Sequence, residues 1–104
     1  MSELSTKDRI AKLIQDHPVM LFMKGDKDEP MCGFSAQVVA ILKRHGVEFH
    51  TEDILKDWDL REGIKSFSNW PTLPQLYIHG DFIGGCDIVM EMERKGELKD
   101  LLKV

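Results

Sequence analysis

Two cysteines, Cys32 and Cys86, are all that this chain of 104 residues carries. So few, and so far apart, exclude the disulfide scaffold of a small secreted domain. A reducing compartment is the default for such a chain, so a structural Cys32–Cys86 bridge is not expected. Basic excess is also missing: 14 Lys and Arg face 18 Asp and Glu, for a net charge of -4. That balance argues against a nucleic-acid role built on phosphate contacts. No run approaches the ~20 apolar residues of a membrane span. The start, Met1 to Asp8, carries two acids and no apolar stretch. It reads as neither a signal peptide nor an Arg-rich transit peptide, and a cytoplasmic location is the expectation. Repeats, low-complexity tracts and long linkers are absent as well. Residues 1–104 therefore read as one domain.

The elements follow in quick alternation. Ser5 with Asp8 reads as a helix N-cap with an acid at the third position. Ile10, Leu13 and Ile14 continue at helical spacing, and Pro18 stops the run. Val19 to Met23 is apolar throughout and bounded by Pro18 and Gly25, which suits a strand buried on both faces. Lys24 to Met31 is a polar loop with few apolar anchors, and loops of that kind move easily. Val38, Ile41 and Leu42 mark one face of a helix starting near Phe34, and Gly46 ends it as a C-cap. Val47 to Asp53 reads as a second strand. A helix over Asp57 to Phe67 turns Leu60, Ile64 and Phe67 inward. Gln75 to Ile78 is a third strand, His79-Gly80-Asp81 a tight turn, and Phe82 to Gly84 a fourth strand. Asp87 caps a helix carrying Ile88, Val89 and Met92. Gly96 breaks it before a last helix with Leu98, Leu101 and Leu102.

The order α-β-α-β-α-β-β-α-α constrains topology. A helix joins the first two strands, so they are expected parallel with a right-handed crossover. The hairpin adds an antiparallel pair. The expected class is α/β: a four-stranded mixed sheet with helices on both faces, a thioredoxin-like fold.

Cys32 sits directly after the polar loop and directly before a helix. There free N–H groups and the helix dipole favour a thiolate, the form that attacks disulfides and ligates metals. Lys24, at the end of the first strand, approaches the same place. The competing reading is a small buried hydrophobe, a common fate of a free cysteine. Pro30-Met31 before Cys32 and the helix start after it favour an exposed turn. A dithiol motif would place a second cysteine at position 35. Ser35 stands there instead, and a serine cannot resolve a mixed disulfide. The four histidines, His17, His45, His50 and His79, show no metal-ligand spacing and read as surface or turn residues.

Pro30-Met31-Cys32-Gly33-Phe34-Ser35 resembles the motif of the monothiol, CGFS-type glutaredoxins. Three further segments agree in order: Met23-Lys24-Gly25, Asn69-Trp70-Pro71-Thr72-Leu73-Pro74-Gln75 and Gly84-Gly85-Cys86-Asp87. The resemblance covers the chain from about Ile10 to Leu101.

The resemblance implies a glutathione site. Pro74 would be cis and face Cys32, leaving the backbone of Leu73 to pair with an extended peptide. Many members of the family carry Phe where Leu73 stands. The helix N-terminus at Cys86-Asp87 would hold the γ-glutamyl end, with Asp87 taking the ammonium group. Asp87 alone would be a plain N-cap. Lys24 and Arg61 are the family-matched cations for the glycine carboxylate, with Lys65 one turn further on. Arg61 taken alone would be an ordinary solvated helix residue. Cys86 has three candidate roles: packing, a backbone contact to glutathione, or an occasional disulfide with Cys32. Trp70 reads as a structural wedge beside the groove.

A 2Fe-2S cluster needs four ligands. The resemblance implies a homodimer bridged by the cluster, with Cys32 and one glutathione from each subunit. It implies an iron–sulfur carrier or scaffold that works with BolA-like proteins and iron–sulfur apo-proteins. The alternative is a glutathione-dependent monothiol oxidoreductase using the same residues. The loop Asp26 to Pro30, typical of the class, would then tilt glutathione away from a good attack.

Overall fold

The computed structural model describes residues 5–103. Met1–Leu4, on which the reading of the N-terminus partly rests, and Val104 lie outside them. The elements are α1 (Thr6–Asp16), β1 (Val19–Met23), α2 (Gly33–Arg44), β2 (His50–Asp53) and α3 (Trp58–Ser68). After these come β3 (Gln75–Ile78), β4 (Asp81–Gly84), α4 (Cys86–Lys95) and α5 (Leu98–Leu101). The strands form one sheet in the order β2-β1-β3-β4. β1 pairs parallel with β2 and antiparallel with β3. β3 and β4 form the antiparallel hairpin.

β1 explains why the sheet is covered on both sides. All five of its residues are buried, and successive side chains point to opposite faces. Val19, Leu21 and Met23 join one core with Val38, Leu42, Leu76, Val89 and Leu98. Met20 and Phe22 join the other with Ile10, Ile14, Leu60, Ile64 and Tyr77. Thus α2, α4 and α5 cover one face, and α1 and α3 the other. α1 and α3 approach closely because Gly63 has no Cβ. One built there would lie 2.5 Å from the Thr6 methyl carbon.

Several local signals are realised as read. Ser5 Oγ accepts the Asp8 N–H at 3.1 Å and caps α1. His79 and Gly80, both at positive φ, make the hairpin turn, the backbone a two-residue primed turn requires, while Asp81, read as part of the turn, already pairs with Ile78 in β4. Gly96, at φ 76, ends α4.

Four readings need correction. The second strand is only His50–Asp53; Val47 and Phe49 pack against the core before strand pairing begins. α2 is capped by His45, and Gly46 is the left-handed residue after it. Phe67 is 38 % exposed, because the inward face of α3 is filled by Leu60 and Ile64. Asp87 does not cap α4. Gly85 is the N-cap and Asp87 lies within the first turn, its side chain making no cap hydrogen bond.

Candidate functional site

Cys32 occupies the N-cap of α2 in extended backbone. It is partly exposed, flanked by Met31 and Phe34, which are 66 % and 60 % exposed. The thiol is held below its ordinary value. The Ser35 N–H contributes most; burial opposes it, while the Phe34 N–H, the Lys24 charge and the Ser35 hydroxyl assist. Orphan amides at a helix start favour an anion for the same reason.

Ser35 does more than stand in for a second cysteine. It is fully buried, and its Oγ accepts the Lys24 N–H at 3.2 Å. That bond ties the end of β1 to the first turn of α2. The intervening loop is held by polar contacts rather than apolar ones. The Met31 N–H donates to the Lys24 carbonyl at 2.9 Å, and Gly25 bridges to Pro30. The Gly25 N–H donates to Asp53 Oδ1 at 3.0 Å. Asp26 Oδ1 accepts the N–H groups of Asp28 and Glu29, both at 2.8 Å. Lys27 Nζ donates to the Phe49 carbonyl at 2.8 Å, and Lys43 Nζ to the Lys27 carbonyl at 2.9 Å. Only glycine fits at position 25, where φ is 84 and a Cβ would run into the Glu29 carbonyl oxygen. The apolar content of Lys24–Met31 gave no hint of this anchoring.

Beside Cys32 lies a groove of about 220 Å³ lined by Phe34, Trp70, Leu73, Pro74, Cys86, Asp87 and their neighbours. The structure thus brings Leu73, Cys86 and Asp87 together. The Leu73–Pro74 bond is cis. Among the described residues, neither the N–H nor the carbonyl of Leu73 bonds to another backbone group. Gln75, which closes the family-matched segment but was given no role in the sequence, holds this segment. It is fully buried, and its Nε2 donates to the carbonyls of Trp70 (3.1 Å) and Thr72 (3.2 Å). The Tyr77 hydroxyl donates to Gln75 Oε1 at 3.2 Å. A glutamine among apolar strand residues was the one available clue. Trp70 packs on Phe82 with ring centroids 5.8 Å apart, and its buried Nε1 has no hydrogen-bond partner among the described residues.

Cys86 is a free thiol, as is Cys32. Its Sγ donates to Gln37 Oε1 at 3.3 Å and lies 3.6 Å from Met90 Sδ. Burial pushes the thiol up, and the charges of Asp87 and Cys32 push it further. The two sulfurs are therefore biased in opposite directions: Cys32 toward thiolate, Cys86 toward thiol. Lys24 and Arg61 do not line the groove. Lys24 acts on Cys32 through its charge. Arg61 lies on α3, its guanidinium carbon 5.6 Å from the centre of the Trp58 ring. Lys65 pairs with Glu62 at 3.4 Å.

A family model described as Glutaredoxin matches residues 19–83. The monothiol glutaredoxin ycf64-like protein of Synechocystis, described as uncharacterized, is 52 % identical over 95 % of this chain and 92 % of its own. This chain belongs to the monothiol glutaredoxins. Monothiol glutaredoxin-S11 of rice is 56 % identical over 98 % of the chain, which spans only 21 % of that protein. Among solved structures, reduced apo GrxS14 of poplar is 51 % identical with a TM-score of 0.81, over 90 % of this chain and 86 % of that one. A buckwheat glutaredoxin–glutathione complex is 26 % identical with a TM-score of 0.83, over 93 % and 86 %.

Two consequences of this glutaredoxin's geometry are measurable. The first is a split in thiol reactivity. Alkylation requires thiolate. Iodoacetamide at neutral pH is expected to modify Cys32 and spare Cys86, read by peptide mass spectrometry. Because the Cys32 value is depressed, its rate stays high below the ordinary thiol range and falls only as pH drops through the depressed value. Lys24→Met removes a favourable charge, so it shifts that midpoint upward. Equal labelling of both thiols across pH would contradict the assignment.

The second concerns Gln75. Gln75→Leu leaves two carbonyls and the Tyr77 hydroxyl without their buried partner. A cost of about 1–3 kcal/mol in urea unfolding is expected, with the Trp70 segment loosened. A change below ~0.5 kcal/mol would show that water or neighbours replace the amide.

Proposed function

We propose that this glutaredoxin carries a 2Fe-2S cluster as cargo, bound between two chains with glutathione, and delivers it to iron–sulfur apo-proteins. The observation that carries the reading is the state of Cys32. It is a partly exposed sulfur at a helix N-terminus, held toward thiolate, with Ser35 where a resolving thiol would stand. A cluster needs four ligands, commonly thiolates. Cys86 is buried, biased toward the thiol and engaged by Gln37, so each chain has one thiolate to give. Two chains supply two ligands, and two glutathione thiols complete the set.

Glutathione would lie in the groove beside Cys32. The free backbone groups of Leu73 suit strand-like pairing with an extended peptide. The N-terminal amides of α4, from Cys86 onward, would hold the γ-glutamyl carboxylate, and Asp87 the ammonium group. Lys24 and Arg61 would meet the glycine carboxylate. The solved buckwheat relative with glutathione supports this ligand. Because half of the ligands are diffusible, the cargo is exchangeable, which suits a carrier. A BolA-like protein is the expected partner, residues 1–104 act as one glutaredoxin domain, and the cytoplasm is the expected compartment. No helix among the described residues is long and apolar enough to cross a membrane.

One observation favours a second reading. A thiol biased toward thiolate is also a nucleophile. Its sulfur would attack the glutathione sulfur of a mixed disulfide and release the target thiolate. A second glutathione would then reduce the Cys32–glutathione disulfide, leaving oxidised glutathione. Anaerobic addition of iron, sulfide and glutathione separates the readings. The carrier produces visible charge-transfer absorption only when glutathione is present, together with slow turnover of a small mixed disulfide. Colour independent of glutathione, or brisk turnover without colour, would overturn it.

A further inference from the structure

We propose that Trp58 is the positioning residue for Arg61, fixing its guanidinium for the terminal carboxylate of a glutathione-type peptide thiol. The proposal rests on the reading above, in which Arg61 meets that carboxylate. Trp58 is the first residue of α3 and is 68 % exposed, so core packing does not account for it. Arg61 follows three residues later, on the same helix face. Its guanidinium carbon lies 5.6 Å from the indole centre, within the ~6 Å reach of a cation–π contact.

The nearby acids hold the guanidinium only weakly, through one long ion pair with Glu62. Among the described residues Arg61 Nε is buried with no hydrogen-bond partner, and the Glu62 carboxylate stands 4.0 Å away. Glu62 sits closer to Lys65, at 3.4 Å. Asp57 is engaged twice: it caps α3 through the Leu60 N–H at 3.0 Å and pairs with Arg9 at 2.7 Å. The cation lies over the indole ring, a contact that uses none of its N–H donors. A carboxylate binds the edge of the guanidinium plane, by paired N–H donors. The cation–π contact thus restrains the group while leaving its N–H donors available. The start of α3 also belongs to the Cys32 end of the sheet. The Ile54 N–H, in the segment leading to α3, donates to the Met23 carbonyl at 2.9 Å.

The test compares wild type, Trp58→Ala, Trp58→Phe and Arg61→Met for binding of reduced glutathione by calorimetry. The second ligand is glutathione with its glycine carboxylate amidated. Trp58→Ala is expected to weaken glutathione binding about two- to fivefold, the range of an exposed cation–π contact. Trp58→Phe recovers most of the loss, and the penalty vanishes with the amidated ligand. A merely structural role for Trp58 would weaken both ligands equally, and that result overturns the proposal. If Arg61→Met weakens binding while Trp58→Ala does not, the positioning role fails and the glutathione reading stands. If Arg61→Met changes nothing, the assignment of Arg61 fails, and Trp58 with it.

Discussion

Cys32→Ser is expected to abolish cluster loading: no visible absorption after anaerobic reconstitution, and a monomer where wild type gives a dimer. The effect is all-or-none because the ligand set has no spare. Ser35 offers a hydroxyl, a poor iron ligand beside thiolate. Cys86 is close enough for its titration to sense the Cys32 charge, yet it is buried, biased toward the thiol and donates to Gln37 at 3.3 Å. It cannot take over without breaking those contacts. The fold should be untouched, since serine suits the N-cap position that Cys32 occupies and Cys32 belongs to neither core. Unchanged far-UV circular dichroism together with lost colour is the expected pair of results. Cys86→Ala is the matched control and should keep its colour. Colour retained in Cys32→Ser would place the ligand elsewhere.

Phe22→Ala should have the largest effect on stability. Phe22 lies in the central strand β1, is fully buried, and meets Tyr77 edge-on at 5.7 Å. It packs with Ile10, Ile14, Leu60 and Ile64 in the layer beneath α1 and α3. Truncating a buried phenylalanine costs about 3–5 kcal/mol, from lost transfer free energy plus the cavity left behind. A domain this small has roughly 5–10 kcal/mol in all. The midpoint of thermal unfolding should drop by at least ~12 °C, and at 37 °C a measurable fraction of the variant should be unfolded. Phe34→Ala, at a 60 % exposed position beside Cys32, should change stability by less than ~0.5 kcal/mol. Equal costs at the two positions would contradict the burial pattern.

What was legible in the sequence followed from strong local signals. The apolar run Val19–Met23 announced a strand covered on both faces, and each alternate residue does enter a different core. Ser5, Gly96 and His79-Gly80 marked chain reversals and caps because their backbone requirements are local. The site was legible at Cys32 for the same reason, since a cysteine before a helix start is a local pattern. Less legible was whatever depends on partners far apart in sequence. Ser35 binds the Lys24 amide across 11 positions, and Gly25 binds Asp53 across 28. Those contacts anchor a loop whose composition alone suggested few anchors. His45, read as a surface or turn residue, does sit in the turn that ends α2, but its contact with Glu93 at 2.7 Å, which links the C-terminal ends of α2 and α4, was not foreseen. The bracing role of Gln75 was hidden because a buried amide inside a strand has no periodic mark. Asp87 was misplaced by one short step. Gly85 supplies the extended N-cap backbone, which leaves the Asp87 carboxylate within the first turn.

The most direct test of cluster carriage is native mass spectrometry of the reconstituted species, kept free of oxygen. The expected ion contains two chains, one 2Fe-2S cluster and one glutathione per chain, and it collapses to monomers when the cluster is removed. A coloured species lacking glutathione, or a cluster held by a single chain, would contradict the proposal that Cys32 and glutathione share the ligation.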